Sequence, residues 1–62
     1  MDGKTVIKLL QKNGFKCVRI NGSHYIMSNG KCSPFPVPVH GKRDLKLGTL
    51  KSIEKMSGVK LR

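Results

Sequence analysis

Residues 33–40 read SPFPVPVH, with prolines at 34, 36 and 38 alternating with Phe35, Val37 and Val39. In an extended chain successive N–H groups point to opposite edges, so prolines at every second residue strip the donors from one edge only. Such a strand can pair on one side and belongs at the margin of a sheet. Phe35, Val37 and Val39 then share one face, the expected core face, and the other elements must be arranged around this half-closed edge.

Clear punctuation marks those elements. Asn-Gly occurs at 13–14, 21–22 and 29–30. The leading segment DGKTVIKLLQKNG carries Val6, Leu9, Leu10 and Asn13 at helical spacing, with Asp2 as a candidate N-cap and Gly14 as a left-handed stop. From Phe15 to Ile20 β-branched and aromatic content rises, and after Asn21-Gly22 a second apolar run, Tyr25-Ile26-Met27, leads to Asn29-Gly30. Asn-Gly corners between such runs signal hairpins. The closing segment LGTLKSIEKMSGVKL places Leu50, Ile53 and Met56 at helical spacing, with Thr49 as a candidate cap, Gly58 as the stop, and Val59 and Leu61 available to close the end. The reading is α+β in the order α-β-β-β-α, a three-stranded antiparallel sheet with both helices on one face, in one domain spanning residues 1–62. A chain of 62 residues removes only about 60% of its unfolded surface from water, so a deep cleft inside one copy is not expected.

Thirteen Lys and Arg against three Asp and Glu leave a formal charge of +10, spread from Lys4 to Arg62. That surface attracts polyanions and repels copies of itself, so the free chain is expected to be a monomer. Nucleic acid, an acidic protein and an anionic membrane each answer the charge. No segment is apolar enough to span a bilayer and none resembles a signal peptide, so the expected location is cytoplasmic. In that compartment Cys17 and Cys32 are read as free thiols. Cys17, His24, Cys32 and His40 lack the closely spaced ligand pairs of structural zinc sites, so no metal is expected. No Gly-rich phosphate loop, acidic metal cluster or nucleophile elbow is present, so neither a cofactor nor metal-assisted hydrolysis is expected.

His24 is one of two histidines and stands in NGSHYIM, one residue past Asn21-Gly22-Ser23. A two-residue turn at Asn21-Gly22 sets Arg19 opposite His24 on one sheet face. A neutral imidazole accepts a proton, and a guanidinium can hold a phosphate bidentately. Together they match metal-free RNA cleavage, in which a base takes the 2′-OH proton, the oxygen attacks phosphorus and a cation stabilises the added charge. On these residues alone, a satisfied surface histidine in a basic or nucleic-acid-binding domain is the stronger reading. Lys42, Arg43 and Lys46 cluster ahead of the last helix, and Lys8, Lys12 and Lys16 recur at four-residue spacing. Some of these cations are solvated charge, and the others supply salt-sensitive phosphate binding. With Phe15, Tyr25 and Phe35 alone, the chain lacks the ladder of rings that single-strand binders stack upon.

GSHYIM at 22–27, VPVHGKRDLKLGTLKSI at 37–53 and LLQKNGF at 9–15 together resemble the HicA (YcfA-like) toxins of bacterial type II toxin–antitoxin systems over nearly the whole chain. The resemblance implies a double-stranded-RNA-binding-domain-like fold and a ribosome-independent mRNA interferase. It makes His24, in the GSH motif, the catalytic histidine, with Gly22 shaping the corner and Ser23 beside it. His40 matches the second histidine of the VPxH motif, as a general acid, an RNA contact or a structural end-cap. Arg19, Lys42, Arg43 and Lys46 would support RNA electrostatically. Pro34 and Pro36 depart from the commoner pattern and leave the register of the third strand open. The implied partners are messenger or single-stranded RNA and a HicB-type antitoxin covering His24. The rivals are a non-catalytic RNA-binding module of the double-stranded-RNA-binding type and a basic adaptor for an acidic protein.

Overall fold

The computed structural model describes residues 1–61. Its elements run α1 (Gly3–Lys12), β1 (Lys16–Asn21), β2 (His24–Ser28), β3 (Phe35–Pro38) and α2 (Leu47–Ser57). The strands form one antiparallel sheet in the order β1-β2-β3. This is the expected α+β order, and the helix ends show how local chemistry sets it. The Asp2 carboxylate accepts the Thr5 N–H at 2.9 Å, capping α1, and Gly14 ends that helix with φ +88°. Gly58 closes α2 with φ +74°, its N–H donating to the Glu54 carbonyl at 2.8 Å. The start of α2 differs from expectation: the cap is Lys46, with no side-chain cap bond, and Thr49 lies inside the first turn. The Leu50 N–H reaches the Lys46 carbonyl at 3.0 Å, so the first helical bond forms three residues ahead of the polar side chain expected to start it.

Val6, Ile7 and Leu10 from α1 and Leu50 and Ile53 from α2 meet Met27, Phe35 and Val37 from the sheet, joined by Phe15, Val39 and Leu61. Both helices therefore cover the same sheet face, and burial of each large apolar side chain contributes about 1.5–3 kcal/mol. Phe15 and Phe35 pack edge to face, centroids 5.7 Å apart. The α2 periodicity reaches the core only as far as Ile53, since Met56 is exposed. Leu61 folds back onto the core, its N–H donating to the Glu54 carboxylate at 2.8 Å.

The proline strand behaves as its sequence requires. The Val39 N–H donates to the Ser23 carbonyl at 2.7 Å, so by alternation Val37 and Phe35 also direct their backbone groups toward β2. Pro36 and Pro38 turn their donor-less nitrogens to the open edge. β3 pairs in the register Tyr25 with Val37 and Met27 with Phe35, which sets these four on the helix-covered face. α1 begins hard against the end of this strand: a Cβ on Gly3 would stand 2.5 Å from the Pro38 carbonyl oxygen.

Candidate functional site

The β1–β2 hairpin turns one residue later than its Asn-Gly dipeptide suggests. Asn21 pairs with His24, Ile20 with Tyr25 and Arg19 with Ile26, so the central turn residues are Gly22 and Ser23. Gly22 has φ +62° and no non-glycine residue in the described chain has a positive φ. One positive φ at the first central position is the pattern of a type II′ turn, which needs glycine only there. The type I′ alternative would have forced Asn21 into the left-handed region. The expected pairing of Arg19 with His24 is therefore corrected. Arg19 remains on the same face, diagonal to His24 at about 7–8 Å by ladder geometry, a span that its long side chain can bridge.

Further along β1 the register shifts between Cys17 and Arg19, leaving Val18 as the extra residue of a bulge. Without it Lys16 would be directed toward the helices. With it Cys17 pairs with Met27 on the core face, while Lys16 stays exposed and Phe15 becomes buried. The other Asn-Gly pair, 29–30, opens a connection over residues 29–34 instead of a two-residue corner, and the Asn29 side chain accepts the Lys31 and Cys32 N–H groups, both at 2.8 Å.

His24 is exposed and alternates with buried Met27's row of side chains, so it lies on the sheet face away from both helices. Its neighbours across the two ladders are Asn21 on β1 and Pro38 on β3. Among the described residues nothing hydrogen-bonds to its imidazole. Beyond Pro38 the chain passes Val39 and turns at His40, where the Arg43 N–H donates to the His40 carbonyl at 3.1 Å and Gly41 takes φ +61°. The loop is then tied down beside α1, the Leu45 N–H donating to the Met1 carbonyl at 2.8 Å and Asp2 bridging Asp44.

This return leaves a cleft of about 340 Å³ between the end of β3 and the start of α2, lined by Pro38, His40, Arg43, Asp44, Leu45, Lys46 and Thr49. Pro38 is thus a wall of the cleft and the cross-strand neighbour of His24. The carboxylate of Asp44 is engaged by the Met1 ammonium at 3.2 Å, which leaves His40, Arg43 and Lys46 to set the polarity. With no side-chain cap and no acid in the first turn of α2, the positive end of the helix dipole adds to theirs. Of the residues expected to form the site, Gly22, Ser23 and His24 fall on one corner with Arg19 diagonal, and His40, Arg43 and Lys46 line the adjoining cleft. Lys42 is exposed on the same turn but does not line it. Sequence reasoning missed Asn21 and Pro38 as the flanks of His24 and Gly3 as the residue that seats β3. For Asn21, the preference of II′ turns for Gly-Ser at their centre was the available signal.

Among the described residues no group of three or more His, Cys, Asp or Glu is placed to hold a metal ion, and no helix is long and apolar enough to cross a membrane. The arrangement brings together a solvent-facing imidazole, a guanidinium diagonal to it on the same face, and a neighbouring cationic cleft, on a protein of charge +10. That is a small, strongly basic α+β module. The family model of the HicA toxin of bacterial toxin–antitoxin systems matches residues 3–59, and the chain belongs to that family. Membership implies an antitoxin partner. No curated protein and no solved structure gives a significant match.

Proposed function

We propose that this toxin is a metal-independent endoribonuclease, a ribosome-independent mRNA interferase acting in the cytoplasm, with His24 as its base. The observation that carries the reading is the placement of His24, which stands unengaged on the open sheet face, one strand from a basic cleft. The imidazole takes the proton of a ribose 2′-OH. The freed oxygen bonds to the adjacent phosphorus, the P–O5′ bond breaks, and the leaving oxygen collects a proton from His40, from solvent or from the imidazolium just formed. Arg19 is set to neutralise the charge that gathers on the phosphoryl oxygens. Arg43, Lys46 and His40 hold the next stretch of backbone, and Lys42 adds long-range attraction. Products end in 2′,3′-cyclic phosphate and 5′-hydroxyl.

A HicB-type antitoxin with an acidic surface would cover His24 and offset much of the +10 charge, with electrostatically steered association. The bound pair is expected not to cut RNA, and undiminished cleavage by a stoichiometric complex would contradict that.

One observation favours a second reading, a non-catalytic RNA-binding module: no neighbouring group orients the His24 ring, whereas catalytic bases are commonly held by a third residue. The two readings part on a single comparison. A folded His24→Ala variant that binds RNA like the parent but leaves it intact, while the parent cuts, supports the nuclease. Intact RNA with both proteins supports the binding module.

A further inference from the structure

The two edges of the sheet are chemically unequal. On β3, Pro36 and Pro38 present no donors to the outside. On β1 the outward groups are intact. The Ser23 carbonyl faces β3, since it accepts the Val39 N–H; alternation then directs the His24 backbone toward β1 and, across the turn, the Asn21 backbone toward β2. Ile20, one residue earlier, therefore points its N–H and C=O to solvent. Ile20 is 58% exposed, as is Val18 in the bulge. Exposed β-branched side chains beside an unpaired backbone edge invite another strand.

Charge decides which strand. Lys16 precedes these apolar residues and Arg19 stands between them, and the whole chain carries +10, so a second copy of this edge would bring like charges face to face. A partner strand must be acidic. We infer that the β1 edge, Lys16–Asn21, is the docking site of the antitoxin implied by family membership, which adds an extended, acidic-and-aliphatic segment as a fourth strand. Such a strand lies next to Arg19 and one strand away from His24, so its acidic side chains reach the guanidinium assigned above to phosphate. The inference rests on family membership and the edge geometry; only that last consequence draws on the nuclease reading.

The test uses the whole protein, isotope-labelled, and a short synthetic peptide of alternating glutamate and valine as probe. A second peptide carries methyl groups on the backbone nitrogens of one edge. The expected result is that the first peptide shifts the amide signals of residues 16–21 and slows exchange of the Ile20 amide at least about tenfold. Methylation should weaken binding about tenfold, as the loss of one or two backbone hydrogen bonds requires. An Ile20→Glu variant, outside the nuclease machinery, should lose the peptide and keep its RNA cleavage, which separates failure here from failure of the nuclease reading. Three results would each overturn the inference: equal binding of both peptides or of neither; shifts centred on residues 40–46, meaning mere polyanion binding in the cleft; or Ile20 protection and dimerisation in the protein alone, meaning that the edge serves a second copy.

Discussion

His24 faces Pro38 across the β2–β3 ladder, and Gly3 at the start of α1 approaches the Pro38 carbonyl too closely to carry a Cβ. The seating of the site thus depends on a glycine in another element. Alanine is ordinarily the better helix former, yet at Gly3 it would press on the Pro38 oxygen and the Val39 side chain. Gly3→Ala should cost about 1–3 kcal/mol by overpacking and lower activity by displacing Pro38. Gly48→Ala in α2, where nothing lies within 4 Å, should be neutral or stabilise by up to about 1 kcal/mol. Urea denaturation of the two variants beside the parent checks the opposite signs.

Gly22 is open to solvent: a Cβ there would meet nothing within 4 Å, but its φ is +62°. Its replacement cost is therefore backbone strain alone. Gly22→Ala should lose about 1–2 kcal/mol, and Gly22→Asn a similar amount, because the first central position of a II′ turn joins its positive φ to a negative ψ, outside the left-handed α region that asparagine tolerates. RNA cleavage should fall in both variants, since the turn sets where His24 enters β2. Equal stability of all three proteins would contradict the II′ assignment.

Arg43 and Lys46 line the cleft and Lys42 does not. An Arg43→Gln, Lys46→Gln double variant should raise KM for RNA with kcat largely kept, and reduce the slope of log affinity against log salt by about 1–2. Lys42→Gln should change either quantity less. Salt titrations of RNA binding by fluorescence anisotropy, with steady-state kinetics, measure both.

The Thr5 hydroxyl first, and then the Thr5 backbone N–H, hold the Asp2 carboxyl below its ordinary value of 3.8. A carboxyl with a lowered folded-state pKa stabilises the fold above its unfolded value. That contribution is lost as pH falls from near 3.8 through the lowered value. Thermal melts across the acid range should show a loss of Tm in the parent that is smaller in Asp2→Ala, which should also melt lower at neutral pH because α1 loses its cap.

How much of this was legible depends on where each determinant resides. The Asp2 cap, the Gly14 and Gly58 stops and the proline-marked edge are properties of single residues or of period-two alternation, and they appear where the sequence indicates. The register of β1 is different. Pairing Arg19 with His24 or with Ile26 differs by a two-residue slip, which keeps every side chain on its face, so hydrophobic alternation cannot tell the two apart. The choice falls to Gly22, which alone can take the positive φ, and to the Val18 bulge that brings Phe15 and Cys17 inward. The start of α2 was likewise set by tertiary ties: residues 44–45 are held by the chain before α1, so the helix begins at Leu47 although Thr49 is the better cap residue. The cleft beside Pro38 follows from that same loop closure and has no local sequence signature.

Metal-free cutting by His24 is read most directly from end-group analysis of single-stranded RNA incubated in EDTA with the purified protein or with folded His24→Ala. Fragments ending in 2′,3′-cyclic phosphate and 5′-hydroxyl are expected from the parent alone. Cleavage by His24→Ala at the parental rate, or intact RNA with the parent under conditions where it binds, would contradict it.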